Sequence, residues 1–164
     1  MKRIGVYIVL VLVGIAVGYT LATKKPGKVN PVPVGRMTEA PQGEGWINML
    51  EEPYRSGWGN INDEDEIFDF VDDMLHLYGN SHKDLRYVGY ETEKLGNFEL
   101  HAEVKLSPKG NSGIFLRQQP NDKIYRGFEI QVQDDFGTPP NKNTTGSVYD
   151  VVTPMFNMAF PAGE

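Results

Sequence analysis

The chain contains no cysteine among its 164 residues. Disulfide bonds, zinc–thiolate sites, a thiol nucleophile and the acylated cysteine of a lipoprotein are therefore excluded. The sequence also lacks the HExxH, Walker A, GxSxG and GxGxxG patterns, which mark several large enzyme classes. The length fits one domain plus a leader rather than two domains.

Acidic residues are absent from positions 1–36, which carry six Lys/Arg. The formal net charge of the whole chain is −6, so the remaining residues hold ten basic against twenty-two acidic side chains, about −12. An acidic body has the wrong sign for binding a phosphate backbone, whereas it tolerates neutral sugars. We therefore expect no nucleic-acid partner.

The first 23 residues are typical of an export leader. Lys2 and Arg3 precede an uncharged apolar run over residues 4–22, which is long enough to cross a bilayer as a helix. Two interpretations stay open: an uncleaved signal anchor, favoured by the length of the run, and a signal peptide cleaved after the small residues Thr20 and Ala22. Either one predicts the bacterial cell envelope, with the domain membrane-anchored or periplasmic.

Residues 24–45 have the composition of a linker. Prolines and glycines recur along them, and Pro31-Val32-Pro33 favours an extended polyproline-like segment. This segment would tether the domain of residues 46–164 away from a membrane surface.

From residue 46 onward the apolar residues recur every second position, which is the period of a β-strand. No convincing amphipathic helix follows the leader, and short strands at this spacing indicate an all-β sandwich or barrel. Asp72-Asp73 is the expected turn of a hairpin. The strands predicted in this way cover residues 67–71, 74–78, 97–106, 112–117 and 127–133.

One predicted strand carries a uniform polar face. In residues 127–133 the apolar side chains alternate with Glu129, Gln131 and Gln133. Neighbouring carboxylate and amide groups can pair with sugar hydroxyls, because each hydroxyl both donates and accepts a hydrogen bond. A solvated outer face would show the same pattern.

Four segments in order resemble the 3-keto-disaccharide hydrolase family. They are GWINMLEEPYRSGWGNIND with its Ser56-Gly57-Trp58, the block over residues 90–117 that contains NSGIFLR, the GFEIQVQDD strand, and TGSVYDVVTP. Together they cover residues 46–160 in the order and spacing of the family.

The resemblance implies a concanavalin A-like jelly roll, a sandwich of two antiparallel sheets of which one is concave and faces the ligand. It also implies substrates whose sugar carries a ketone at C3. The family typically continues with a Trp-Asn pair and further strands, so we expect a truncated sandwich that lacks its closing strands and exposes a sheet edge.

A ketone at C3 acidifies the proton on C2, so a base can remove this proton and expel the glycosidic oxygen from C1. Water can then add, which gives formal hydrolysis without the paired carboxylates of an ordinary glycosidase. Such a site needs a carboxylate or histidine as the base, and a donor or a metal ion for the enolate oxygen.

The residues expected to carry this chemistry are Glu129, Gln131 and Arg117. Glu129 is interpreted as the base or as a metal ligand, and Gln131 as a partner of a sugar hydroxyl, the two forming an exposed pair. Arg117 shares the parity of Asn111 and Phe115, and its guanidinium would steady an enolate oxygen. A salt bridge is the alternative role for Arg117.

Four further residues are expected to bind substrate, each with a structural alternative. Asn111 lies in a turn, Tyr149 would stack on a sugar ring or fill the core, and Asp134 next to Asp135 would end a strand or bind a cation. His101 alternates with glutamates on an outer face, where an ordinary surface histidine is the alternative. No metal ligands are assigned, and a divalent metal ion is left open as a cofactor.

The functional hypothesis is therefore an exported enzyme that cleaves 3-keto-glycosides. Its partners would be the sugar substrate, the membrane if the leader is uncleaved, and a separate sugar 3-oxidoreductase that supplies the ketone. The alternative is a non-catalytic, lectin-like sugar-binding module of the cell envelope, because fold alone does not separate the two.

Overall fold

The structure is a computed structural model that describes residues 2–7, 45–61, 66–78, 86–118 and 127–164, with the backbone alone for residues 2–7. These residues form strands and a single 3₁₀ turn at Arg55–Gly57. The strands are β1 (Lys2–Tyr7), β2 (Trp46–Asn48), β3 (Trp58–Asn60), β4 (Phe68–Val71), β5 (Met74–Leu77), β6 (Val88–Tyr90), β7 (Phe98–Glu103), β8 (Asn111–Leu116) and β9 (Phe128–Gln133).

The predicted hairpin across Asp72-Asp73 is confirmed. Strands β4 and β5 pair antiparallel, and Val71 lies opposite Met74 at the turn. Asp72 adopts a φ of 54°, which an aspartate tolerates better than most residues. The turn therefore forms without a glycine.

Strand β7 shows the predicted alternation. Phe98, Leu100 and Val104 are partly buried and pack against the core, whereas Glu99 and Lys105 are exposed. The core cluster itself consists of Met49, Leu50, Leu75, Leu106 and Val132. An all-β chain with one such cluster between its small sheets is consistent with the expected sandwich.

The β8–β9 ladder positions the polar face that the sequence singles out. The two strands pair antiparallel from Asn111 opposite Gln133 to Leu116 opposite Phe128. On its other edge β9 is bonded by residues 146–149, with Ile130 bridging Val148. Strand β9 is therefore flanked by backbone partners on both edges.

The edge formed by residues 146–149 contains a β-bulge. The Gln131 N–H donates to the Ser147 carbonyl at 3.0 Å, and the Gly146 N–H donates to the Gln131 carbonyl at 2.8 Å, so two residues oppose one. Gly146 has a φ of 84°, a conformation open to glycine at little cost.

The amino-terminal segment departs from the prediction. Lys2–Tyr7 forms strand β1, which pairs parallel with β2 and with β7, where the sequence predicts the start of a helix. Residues such as Ile4, Val6 and Tyr7 favour strands intrinsically, and the free edges of β2 and β7 supply hydrogen-bond partners. Residues 8–23 of the predicted leader lie outside the described residues.

Within the part of the chain that the structure describes, we find no helix of the length and apolar character needed to cross a membrane.

Candidate functional site

The polar face of the β8–β9 sheet brings together side chains from three neighbouring segments. In the antiparallel register Gly113 lies opposite Gln131 and Phe115 lies opposite Glu129. On the other edge the Tyr149 N–H donates to the Glu129 carbonyl at 2.9 Å. Residues directly opposite one another share a face, so Glu129 lies between Phe115 and Tyr149.

Gly113 provides the space that the Glu129 carboxyl occupies. A Cβ atom at position 113 would lie 2.6 Å from Glu129 Cγ and 2.8 Å from its Cδ, closer than real Cβ contacts allow. The side chain of Glu129 therefore folds over the bare backbone of β8. The contact links the NSG segment of β8 to the FEIQ segment of β9.

Burial changes the chemistry of Glu129. The side chain is half-buried, and this loss of solvent raises the pKa of the Glu129 carboxyl above its ordinary value of 4.5. A carboxyl with a raised pKa is a stronger base once it is ionised, because proton uptake relieves the cost of a partly desolvated charge. The position is suited to accepting a proton from carbon.

Gln131 is placed differently from the prediction of an exposed pair. Its side chain is only 3% exposed, and in one amide orientation its Nε2 donates to Asn111 Oδ1 at 2.8 Å and to Gln133 Oε1 at 3.2 Å. In the other orientation it donates to Glu129 Oε1 at 3.1 Å. Because hydrogen bonds within the protein occupy the amide, Gln131 is suited to hold Glu129 rather than to bind a sugar hydroxyl.

Asn111 and Tyr149 join Glu129 and Gln131 on this face. Asn111 is exposed and contacts the Gln131 amide directly. Tyr149 is 44% exposed, so its ring is accessible beside the carboxylate. An accessible aromatic ring next to a base is an arrangement in which a sugar ring can stack.

Arg117 is directed elsewhere. Its φ of 61° ends β8 and turns the side chain away from the face that strand parity predicts. The guanidinium donates to the Leu95 carbonyl at 2.8 Å and lies 5.0 Å from the centre of the Phe98 ring, on the core side of the sheet. The structure therefore does not bring Arg117 together with Glu129.

Asp134 and His101 also lie apart from this group. Asp134 Oδ2 accepts from the Lys109 N–H at 2.8 Å, which fixes the turn before β8. The His101 side chain on β7 is only 18% exposed, and its Nε2 lies 3.5 Å from Glu103 Oε1. Asp134 agrees with the structural alternative that the sequence left open, whereas His101 is more buried than an ordinary surface histidine.

Residues that sequence reasoning did not place in the site include Gly113, Gln133 and Ser147. Gln133 was recognised only as part of the polar face, and Ser147, fully buried, faces Gln131 across the bulge. The strand register cannot be read from the sequence, and it is the register that places Gly113 beside the side chain of Glu129. The bulge leaves no sequence signal beyond Gly146 itself.

A hollow of about 310 Å³ lies against β9 and is lined by residues such as Val104, Ile130 and Met158. Gln131 and Gln133 also line it, but Glu129 does not.

Among the described residues, no group of three or more histidine, aspartate and glutamate side chains is arranged to hold a metal ion. The donors around Glu129 are amides, a phenol and backbone groups. We therefore derive no step through a metal ion and do not assign Glu129 as a metal ligand.

The fold and the site define an all-β domain with a partly desolvated carboxylate held among side-chain amides. A family model described as a 3-keto-alpha-glucoside-1,2-lyase-like domain matches residues 45–164, and the chain belongs to this family. Comparison with curated proteins and with solved structures gives no significant match. The family match confirms the resemblance on which the expected chemistry depends.

The raised pKa of Glu129 gives a testable pH dependence of stability. Between the unfolded value near 4.5 and the raised folded pKa, the folded state binds more protons, so the stability contribution of Glu129 falls as pH rises through this window. As pH rises from 4 to 7, we expect the free energy of unfolding of Glu129→Gln to increase relative to that of wild type. The increase should be less than about 1 kcal/mol, because the carboxyl is only partly buried.

Urea denaturation of both proteins across this pH range measures the difference. Glu99→Gln is the matched control, because it makes the same substitution at an exposed glutamate of β7. The prediction would be contradicted if the free energy of unfolding of Glu129→Gln minus that of wild type stayed constant or fell as pH rises.

Proposed function

We propose that this protein is an exported lyase or hydrolase that cleaves 3-keto-glycosides, with Glu129 as the base that removes the C2 proton. The observation that carries the proposal is the half-buried Glu129 carboxyl, beside the accessible Tyr149 ring, in a chain of the 3-keto-alpha-glucoside-1,2-lyase-like family. Export is supported by the uncharged apolar run of residues 8–22, which follows the segment that forms β1.

The reaction begins with proton transfer from C2 of the sugar to a carboxylate oxygen of Glu129. The electron pair of the broken C–H bond is shared with the C3 carbonyl, which becomes an enolate. When the enolate collapses, the C3 carbonyl re-forms, a C1–C2 double bond forms, and the bond from C1 to the glycosidic oxygen breaks. The departing oxygen takes the proton that Glu129 received, which restores the carboxylate.

The surrounding residues assist without entering these bonds. Gln131 holds the Glu129 carboxyl through its amide, and Gly113 leaves the space in which that carboxyl lies. Tyr149 offers its ring to the sugar, and Asn111 is accessible beside Gln131 to pair with a hydroxyl. Addition of water to the unsaturated product would complete a formal hydrolysis.

The test is incubation of the full chain with a 3-keto-disaccharide, with and without added divalent metal ions. Release of the second sugar, together with the ultraviolet absorbance of an enone, is the expected result. The unoxidised disaccharide is the matched control, because without the C3 ketone its C2 proton is not acidic. No release from the keto sugar under either condition, or equal cleavage of both sugars, would contradict the proposal.

A further inference from the structure

Four polar side chains form a continuous row along and just beyond β9. Glu129, Gln131, Gln133 and Asp135 alternate on one side of the strand, and each contacts the next. The separations are 3.1 Å from Glu129 Oε1 to the Gln131 amide, 3.2 Å from Gln131 to Gln133 Oε1, and 3.1 Å from Gln133 Nε2 to Asp135 Oδ2. The row therefore links the proposed base to a second, 8% exposed carboxylate.

The amide of Gln133 has only one favourable orientation. Its Nε2 donates to the Asn143 carbonyl at 2.6 Å and to Asp135 Oδ2 at 3.1 Å, and both of these groups can only accept. Asp135 is itself fixed, because the same Oδ2 accepts from the Thr145 N–H at 2.8 Å. The oxygen of Gln133 is therefore held facing Gln131.

Gln131 has two orientations, and each favours a different form of Glu129. With its NH₂ towards Gln133 and Asn111, its carbonyl oxygen faces the Ser112 carbonyl at 3.2 Å and Glu129 Oε1 at 3.1 Å, and only the second contact can become a hydrogen bond, when Glu129 carries a proton. With its NH₂ towards Glu129 it donates to the carboxylate and to the Ser112 carbonyl, but its oxygen then faces the fixed oxygen of Gln133 at 3.2 Å.

We propose that Gln133 is a positioning residue that acts on Glu129 through Gln131, by opposing the amide orientation that stabilises the ionised base. The inference rests on the proposed role of Glu129 and adds a residue that touches neither substrate nor base. It makes Glu129 a more avid proton acceptor, and Gln131 turns as the proton arrives and leaves. Asn111 has no such effect, because it is exposed and its amide is free to turn with Gln131.

A substitution of Gln133 changes no other charged or titratable group near Glu129. On the described neighbouring elements these groups are Tyr149 opposite Glu129, Asp150 next to it, Tyr87 packed 5.6 Å from Phe115, and Arg117, which is directed to Leu95. Gly113 and Phe115, the β8 residues that face Glu129, carry no charge.

The test is a pH titration of the full chain labelled with ¹³C at the glutamate carboxyl carbons. The signal of Glu129 is assigned by its loss in Glu129→Gln. We expect Gln133→Met, which keeps the length of the side chain and removes its fixed oxygen, to lower the midpoint of Glu129 by about 1 pH unit. Asn111→Ala, which also removes a partner of Gln131, is the matched control and should move the midpoint much less.

Two outcomes would overturn the proposal. One is an unchanged or raised Glu129 midpoint in folded Gln133→Met. The other is the same Gln133→Met shift in a Gln131→Met background, since the effect would then not pass through Gln131. If Gln133→Met does not fold, the wild type decides: the side-chain NH₂ signals of Gln131 must titrate with the midpoint of Glu129, and constant signals refute the coupling.

This titration requires no turnover. A shifted midpoint in a protein that does not cleave 3-keto sugars would retain the coupling and reject the proposed function. If the protein cleaves 3-keto sugars but Gln133→Met leaves the Glu129 midpoint unchanged, the proposed function is retained and the coupling is rejected.

Discussion

Glu129→Gln is expected to lower kcat on a 3-keto-disaccharide by about 100-fold or more, with a much smaller change in substrate binding. General-base catalysis contributes typically ~10²–10⁴-fold, and an amide cannot accept the C2 proton. The substitution keeps the shape of the side chain, so Gln131 and Gly113 retain a partner of the same size. Steady-state kinetics of sugar release, with binding measured separately by calorimetry, test the expectation.

The same variant separates the two classes of function. In a lectin-like module Glu129→Gln would only adjust the affinity for the sugar, because no proton is transferred. Glu99→Gln on the outer face of β7 serves as the control for a general effect of removing one negative charge. Wild-type turnover in Glu129→Gln would remove Glu129 from the role of base even if the protein proves to be an enzyme.

Gly113→Ala is expected to reduce activity by about 100-fold while the domain remains folded. The added methyl group would lie 2.6 Å from Glu129 Cγ, so the carboxyl must move aside. A displacement of about 1 Å at a reacting group can cost ~10²-fold in rate. The displaced atoms run from Cγ to the carboxyl, so the Glu129 side chain must take another rotamer, while the backbone of β8 and β9 can stay in place.

Gly59→Ala is the matched control for this prediction. Gly59 also lies within a strand, but the nearest atom to an added Cβ there is Glu91 Oε2 at 3.9 Å. Thermal unfolding should show that both variants are folded. The kcat should be reduced in Gly113→Ala but not in Gly59→Ala. Full activity in Gly113→Ala would mean that Glu129 does not work from the position described here.

The strand pattern could be predicted from the sequence because it depends on local periodicity. The alternation of Phe98, Leu100 and Val104 with polar residues requires only that one face meets the core, and the turn at Asp72-Asp73 requires only residues that tolerate it. Glu129 and Gln131 were placed on one face by the same rule. Family resemblance supplied the chemistry, which periodicity alone cannot give.

The errors arose where tertiary structure overrides that local rule. Arg117 follows strand parity in the sequence, but its positive φ ends the strand and sends the guanidinium towards Leu95 and Phe98. Gln131 was expected to be exposed, yet neighbouring amides and the bulge beside it bury its side chain. Neither the backbone reversal nor the strand register can be read from residue types alone.

The amino-terminal segment illustrates a different difficulty. Ile4, Val6 and Tyr7 suit a membrane helix by their hydrophobicity and a strand by their branched or aromatic side chains. Strand β1 forms where two unpaired edges, those of β2 and β7, are available to it. Hydrophobicity alone therefore does not decide the structure of residues 2–7.

Strand β9 is hydrogen-bonded on both edges, and this fixes the position of Glu129 more firmly than that of the exposed residues that follow. The base projects from a strand whose backbone is anchored by β8 on one side and by residues 146–149 on the other. The exposed residues that follow, such as Val151, Met155 and Phe156, are not part of those ladders. Under the proposed function, mutations there would alter the protein surface without shifting Glu129, so substrate preference could change while the proton acceptor stays in place.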